Sequence, residues 1–299
     1  MSGARSRATS APERRRVGRL EVVLRGPEEA PLVLCLHGFP DLPGSFAPVA
    51  ERLVAAGYRV AAPFMPGYAP SSLEGPFDLD SVADALAALL AALSPRRPAR
   101  VVGHDWGAAV TYPLLTRHPE RVAAAAALSV PHPLTFLGGL MRSPAQLGRS
   151  AYMGFFQLPF LPERVLRAND QAFVEALWRR WSPGLEPPAE HLRDLRACFA
   201  ESLPAPLAYY RAMFRPPAAF LQRLREARGH RIETPLLYLH GADDGCIGPE
   251  IAEGQERWLA GPFESAVLAG CGHFLQLERP DAVAERLVAF FAEHAPPAA

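Results

Sequence analysis

Short runs of apolar and β-branched residues alternate along the chain with longer segments whose apolar positions recur every three or four residues. The short runs predict strands at Leu20 to Leu24, Leu32 to Leu36, Tyr58 to Ala62, Arg100 to Val102, Ala123 to Val130, Leu236 to Leu239 and Phe263 to Leu268. The longer segments predict helices at Ser45 to Ala56 (stopped by Gly57), Asp80 to Leu93, Trp106 to Arg117 and Asp281 to His294. Val82, Ala83, Leu86, Leu89, Leu90 and Leu93 form one face of the second helix. Strand–helix alternation of this kind implies an α/β fold: a mostly parallel sheet covered by helices on both faces.

After Val130 the pattern changes. From Pro131-His132-Pro133 to about His230 the chain is proline-punctuated, helical and rich in aromatics, and only then does the alternation resume. This predicts a helical lid over 132–230, inserted into a core built from 17–131 and 231–299. Open α/β sheets bind ligands at the carboxyl ends of their strands, where such a lid would sit.

Composition narrows the chemistry. Apolar residues make up 49% of the 299 and charged residues 21%, with a net charge of zero, so no basic footprint for nucleic acid is present. Every basic residue apart from histidine is arginine. Schiff-base and P-loop lysines are therefore excluded. The cysteines at 35, 198, 246 and 271 are scattered and suggest neither a zinc site nor a redox pair. Cys271 is expected to be a small residue of a glycine-rich loop. Residues 1–16 are polar and basic, lack the apolar stretch of a signal peptide and are expected to be disordered. No window of about 18 apolar residues is free of charge and proline, which points to a cytoplasmic protein without a membrane span.

Four local patterns carry candidate chemistry. Val101-Val102-Gly103-His104-Asp105-Trp106-Gly107 runs a strand into Gly-x-Asp-x-Gly and then a helix, the nucleophile-elbow pattern with aspartate where serine usually stands. His37-Gly38-Phe39-Pro40 follows a buried strand; Phe39 and Trp106 are the expected backbone N–H donors to an oxyanion. As a plain element, the same segment would be a tight turn containing a proline. Leu239 to Asp244 is a strand ending in an acidic turn, and Ala269 to Phe274 a glycine-rich loop around His273. The order Asp105, Asp244, His273 is that of nucleophile, acid and base, with Asp243 as the other candidate acid. An aspartate attacking a saturated carbon forms an ester, which histidine-activated water can cleave; a serine would form an inert ether. An aspartate nucleophile therefore points to an epoxide or an alkyl halide.

HGFPD at 37–41, PGY at 66–68, VGHDWG at 102–107, LHGADD at 239–244 and CGHF at 271–274 resemble the epoxide hydrolases of the α/β-hydrolase superfamily. The likeness runs from about Val17 to Glu293. It implies an α/β-hydrolase fold, a hydrolase acting on ether bonds, and a catalytic set of Asp105, Asp244 and His273. It also implies two lid tyrosines that protonate the epoxide oxygen, matched here by Tyr152 and by Tyr210, with Tyr209 the residue most easily confused with the second. Phe39, Trp106, Tyr152, Phe155 and Tyr210 are the expected substrate contacts. No metal or cofactor is needed, the partners are a small apolar epoxide and water, and the chain is expected to be a monomer or homodimer.

Haloalkane dehalogenases share the core motifs and are the alternative. Trp106 would be one halide donor there and Trp178 or Trp181 a second, although Trp178-Arg179-Arg180-Trp181 has the look of a helix surface. A binding protein without catalysis is a second alternative, weakened by the presence of all three triad candidates. Phe46 and Ala69 depart mildly from the family pattern, in pocket lining and in a turn.

Overall fold

The computed structural model describes residues 11–295. Its sheet has eight strands: β1 (Glu13–Val17), β2 (Leu20–Arg25), β3 (Leu32–Leu36), β4 (Arg59–Pro63), β5 (Ala99–His104), β6 (Val122–Leu128), β7 (Leu236–Gly241) and β8 (Phe263–Leu268). They lie in the order β1-β2-β4-β3-β5-β6-β7-β8. β1 pairs antiparallel with β2 and β2 with β4; every other pairing is parallel. The α/β-hydrolase expectation of a mostly parallel, helix-flanked sheet is met.

The thirteen α-helices among the described residues are α1 (Ala47–Ala55), α2 (Leu79–Leu93), α3 (Trp106–Arg117), α4 (Pro133–Arg142), α5 (Pro144–Arg149), α6 (Ala151–Phe155), α7 (Leu161–Arg167), α8 (Ala172–Trp181), α9 (Ala189–Ser202), α10 (Ala205–Phe214), α11 (Pro217–Gly229), α12 (Leu275–Glu278) and α13 (Pro280–Glu293). α4 to α11 all fall between β6 and β7, the stretch expected to form the lid. No helix among the described residues is long and apolar enough to cross a membrane.

β3 shows why the middle of the sheet reads as a continuous apolar run. Leu34 and Leu36 join one core, with α2 and α3, while Val33 and Cys35 join the other, with α1 and α13. Successive side chains point to opposite faces, and both faces are covered.

Two expectations need correction. Residues 13–16, assigned to a disordered tail, form most of β1, paired with β2 from Glu13↔Leu24 to Val17↔Leu20. An edge strand of glutamate and arginines has no hydrophobic signature, and its stability comes from backbone pairing to a neighbour already in place. Residues 1–10 of that tail lie outside the described residues. The second correction concerns α8. Trp178 and Trp181 are fully buried, and of these four residues the two arginines, Arg179 and Arg180, face solvent. Val174, Leu177, Trp178 and Trp181 make an i, i+3, i+4, i+7 stripe, which the intervening arginines conceal. The Trp178 indole stacks on Phe274 at 3.8 Å between centroids.

Candidate active site

The site forms where the carboxyl ends of β3, β5 and β7 meet the loop after β8. β5 turns into α3 at Asp105, whose φ of 51° and ψ of −116° are unfavourable for a residue with a Cβ. The turn survives because its neighbours are small: a Cβ on Gly107 would lie 2.1 Å from the Leu36 carbonyl oxygen. The result is an aspartate pushed out from the sheet, 6% exposed, at the foot of α3.

The Phe39 amide donates to Asp105 Oδ1 at 2.6 Å, next to a cis Phe39–Pro40 peptide. Trp106 is the first residue of α3, so its amide is among the unpaired amino-terminal donors of that helix.

His273 comes from the loop after β8. Its Nδ1 is 2.8 Å from Asp244 Oδ2, and its Nε2 is 3.7 Å from Asp105 Oδ2 with no hydrogen-bond partner. Asp244 is buried and Asp243 exposed, which places Asp244 alone beside the histidine. Asp244 Oδ1 accepts the amides of Cys246 at 2.7 Å and Ile247 at 2.9 Å. Burial disfavours its charge, but the His273 charge and hydrogen bonds from His240 and His273 hold it ionised well below the usual carboxylate range. Burial likewise opposes a charged His273, yet the Asp244 carboxylate and the facing Asp105 carboxylate raise it to about 10.

Over these residues lies a cavity of about 450 Å³. Asp105 and Trp106 form its floor, Tyr152, Met153 and Tyr210 its lid side, and Phe136, Leu140, Phe220 and Leu224 part of its apolar outer wall. The Tyr210 hydroxyl is buried without a partner, and the Tyr152 hydroxyl lies 3.6 Å from Cys246 Sγ. The two rings are 5.8 Å apart. Burial drives both hydroxyls well above an ordinary tyrosine, so they stay protonated. Tyr209 is excluded from this group: its hydroxyl donates to the Pro66 carbonyl at 2.8 Å and its ring stacks on Phe77.

Two expected substrate contacts are absent from the cavity wall. The Phe39 ring is fully buried behind Tyr210, Phe156 and Phe199, so the residue reaches the site through its amide alone. Phe155 packs against Phe156 and Phe173 within the lid. Packing against neighbouring aromatics turned both side chains into the apolar interior.

A family model described as alpha/beta hydrolase fold matches residues 31–280. The chain belongs to that family. Within the α/β hydrolases it is similar to epoxide hydrolase 4 of Mus musculus, 30% identical over 286 residues that cover 92% of this chain and 77% of the mouse protein. It is also similar to an AB hydrolase superfamily protein, YfhM, of Bacillus subtilis, 37% identical over 252 residues, covering 80% of this chain and 82% of that one. Among solved structures, epoxide hydrolase A from Mycobacterium thermoresistibile superposes with a TM-score of 0.77 at 29% identity, covering 94% of this chain and 98% of that one. These likenesses support a hydrolase of the epoxide-hydrolase kind.

Sequence reasoning passed over several residues of this α/β-hydrolase site. His104, beside Asp105, is fully buried; its Nε2 lies 2.9 Å from the His273 carbonyl. His240 lies between Tyr238 and the Asp244 turn. Asp41, the last residue of HGFPD, is a fully buried carboxylate. The signal for all three was in the motifs already singled out: His104 in VGHDWG, Asp41 in HGFPD and His240 in LHGADD. Cys271 is buried in the core as a small residue, as expected, with Sγ 3.4 Å from the Leu268 carbonyl.

Proposed function

We propose that this protein opens epoxides to vicinal diols through an ester on Asp105. The observation that carries the reading is the placement of two lid tyrosines, Tyr152 and Tyr210, on the wall of the cavity that Asp105 also lines. An epoxide leaves as a basic alkoxide and needs an acid there.

The resting state has Asp105 ionised, His273 protonated and both tyrosines neutral. Asp105 Oδ2, the oxygen not held by the Phe39 amide, attacks an epoxide carbon, and the carbon–oxygen bond breaks as a tyrosine delivers its proton. Esterification removes the Asp105 charge that favoured imidazolium, so His273 gives its proton back to the tyrosinate and becomes a base. Neutral His273 then takes a proton from water, and the hydroxide adds to the ester carbonyl. The amides of Phe39 and Trp106 hold the resulting oxyanion. Collapse releases the diol, with the His273 proton going to the departing oxygen, and the new carboxyl group returns its proton to His273. Asp244 keeps the imidazole oriented throughout.

Turnover of styrene oxide beside 1-bromobutane, with Asp105→Asn as control, tests the proposal. Diol that disappears in the control supports it; no diol from any epoxide, with Asp105 intact, overturns it.

One observation favours a second reading, haloalkane dehalogenation. The Trp106 indole Nε1 is buried without a partner and its ring lines the cavity, so it could donate to a departing halide. Trp178 offers no second donor, because its N–H is engaged by the Pro40 carbonyl at 2.7 Å. Bromide release without diol formation would favour this reading. A binding role without chemistry is disfavoured because nucleophile, acid and histidine meet in one site.

A further inference from the structure

The loop that carries the Phe39 amide is held from the lid as well as from the core. On the core side, His37 Nε2 accepts the Met65 amide at 3.0 Å. On the lid side, two helices reach down to the residues that follow Phe39. From α8, the Trp178 indole N–H donates to the Pro40 carbonyl at 2.7 Å. From α9, His191 Nε2 lies 2.8 Å from Asp41 Oδ1.

Asp41 is a deeply tied carboxylate. Besides His191, its Oδ1 accepts the Leu42 amide at 2.7 Å and its Oδ2 the Ser45 hydroxyl at 2.6 Å. His104 Nδ1, unpartnered and fully buried, faces Oδ2 at 3.8 Å. A buried carboxylate is costly to leave short of donors, so removing His191 would release Asp41 to seek others, and the loop would move with it. The Trp178 ring packs against the His191 ring, tilted at 48° with centroids 5.2 Å apart, so the two lid contacts support each other.

We infer that His191, with Trp178, is a positioning residue that sets the Phe39 amide against Asp105 from the lid. The inference rests on the epoxide reading for its kinetic consequence. The Phe39 amide holds the oxygen that becomes the ester carbonyl, so a loosened loop slows ester hydrolysis more than ester formation. Full loss of an oxyanion donor costs roughly a hundredfold or more, so loosening one is expected to cost about tenfold.

The test follows ester formation and decay separately by rapid quench and intact mass, in wild type, His191→Ala, His191→Gln and Trp178→Phe. Glu190→Gln, on the exposed side of α9, is the control. The expected result is ester decay about tenfold slower in His191→Ala and Trp178→Phe, with formation changed less than about threefold, and partial recovery in His191→Gln, which can still donate to Asp41. Equal slowing of both steps, or no slowing, overturns the inference. Hydrogen exchange of the segment 37–42 without substrate is read on the same proteins. Faster exchange in both variants than in the control supports the lid contact as the positioning element, and unchanged exchange overturns it. If the wild type forms no ester from any epoxide, the functional reading fails and the exchange measurement alone decides.

Discussion

Nε2 of His273 faces Oδ2 of Asp105 across 3.7 Å without a hydrogen bond, while its Nδ1 is fixed on Asp244 at 2.8 Å. A ring held on one side and open on the other is suited to take a proton from water once Asp105 has become an ester. His273→Gln should therefore form the ester and fail to cleave it. Intact mass after one turnover should show the protein plus one substrate molecule. Asp105→Asn should show no added mass and lose roughly four orders of magnitude or more in diol formation. An ester that decays at the wild-type rate in His273→Gln would remove the histidine from the hydrolytic step.

The two lid tyrosines should act in ring opening and their neighbour should not. Tyr152→Phe and Tyr210→Phe are each expected to slow ester formation by about a hundredfold, the usual scale for a lost general acid. Tyr209→Phe loses a hydrogen bond to the Pro66 carbonyl, so it should cost about 1 kcal/mol of stability and leave ester formation near wild type. Single-turnover kinetics and thermal unfolding on the three variants separate these outcomes.

Gly38 lies against the nucleophile. A Cβ added there would stand 2.1 Å from Asp105 Oδ1, the oxygen that accepts the Phe39 amide. Gly38→Ala should displace the carboxylate and lower kcat by at least about a hundredfold, because sub-ångström placement governs attack. Turnover measured beside the melting temperature of the same protein checks that the loss precedes any unfolding.

Stability should pass through a maximum near neutral pH. His273 is raised from 6.5 to about 10, so its contribution is complete below 6.5 and is lost as pH climbs through 10. Burial lowers His37, His104 and His132 to about 4; their contribution is complete above 6.5 and is lost as pH falls toward 4. Both slopes start from the same reference value, which places the maximum close to pH 6.5. Calorimetric melting temperatures from pH 4 to 10 check this. Asp105→Asn should flatten the alkaline slope, since the Asp105 carboxylate is among the groups that raise His273.

The α3 helix was visible in sequence at its final bounds, and β3 and β8 as well, because each rests on a pattern completed within a dozen residues. The turn at Asp105 was equally legible: Gly107 leaves room beside Leu36, and only a few residue types permit such a turn. The order Asp105, Asp244, His273 is also read from the chain alone, since each sits where a strand gives way to a loop.

What the sequence left open depends on contacts between distant segments. Tyr209 and Tyr210 are adjacent and equally aromatic; one is taken by Pro66 and Phe77, and the other hangs free over Asp105. Asp243 and Asp244 differ only in which of them turns inward toward His273. β1 became a strand because β2 offered it an edge, and His191 meets Asp41 because α9 packs over the loop after β3. Local sequence sets backbone preferences and turn geometry, whose free energies are decided over a few residues. Which side chain faces the cavity is decided by burial against partners as far away as Pro66 is from Tyr209, and only the packed chain brings them together.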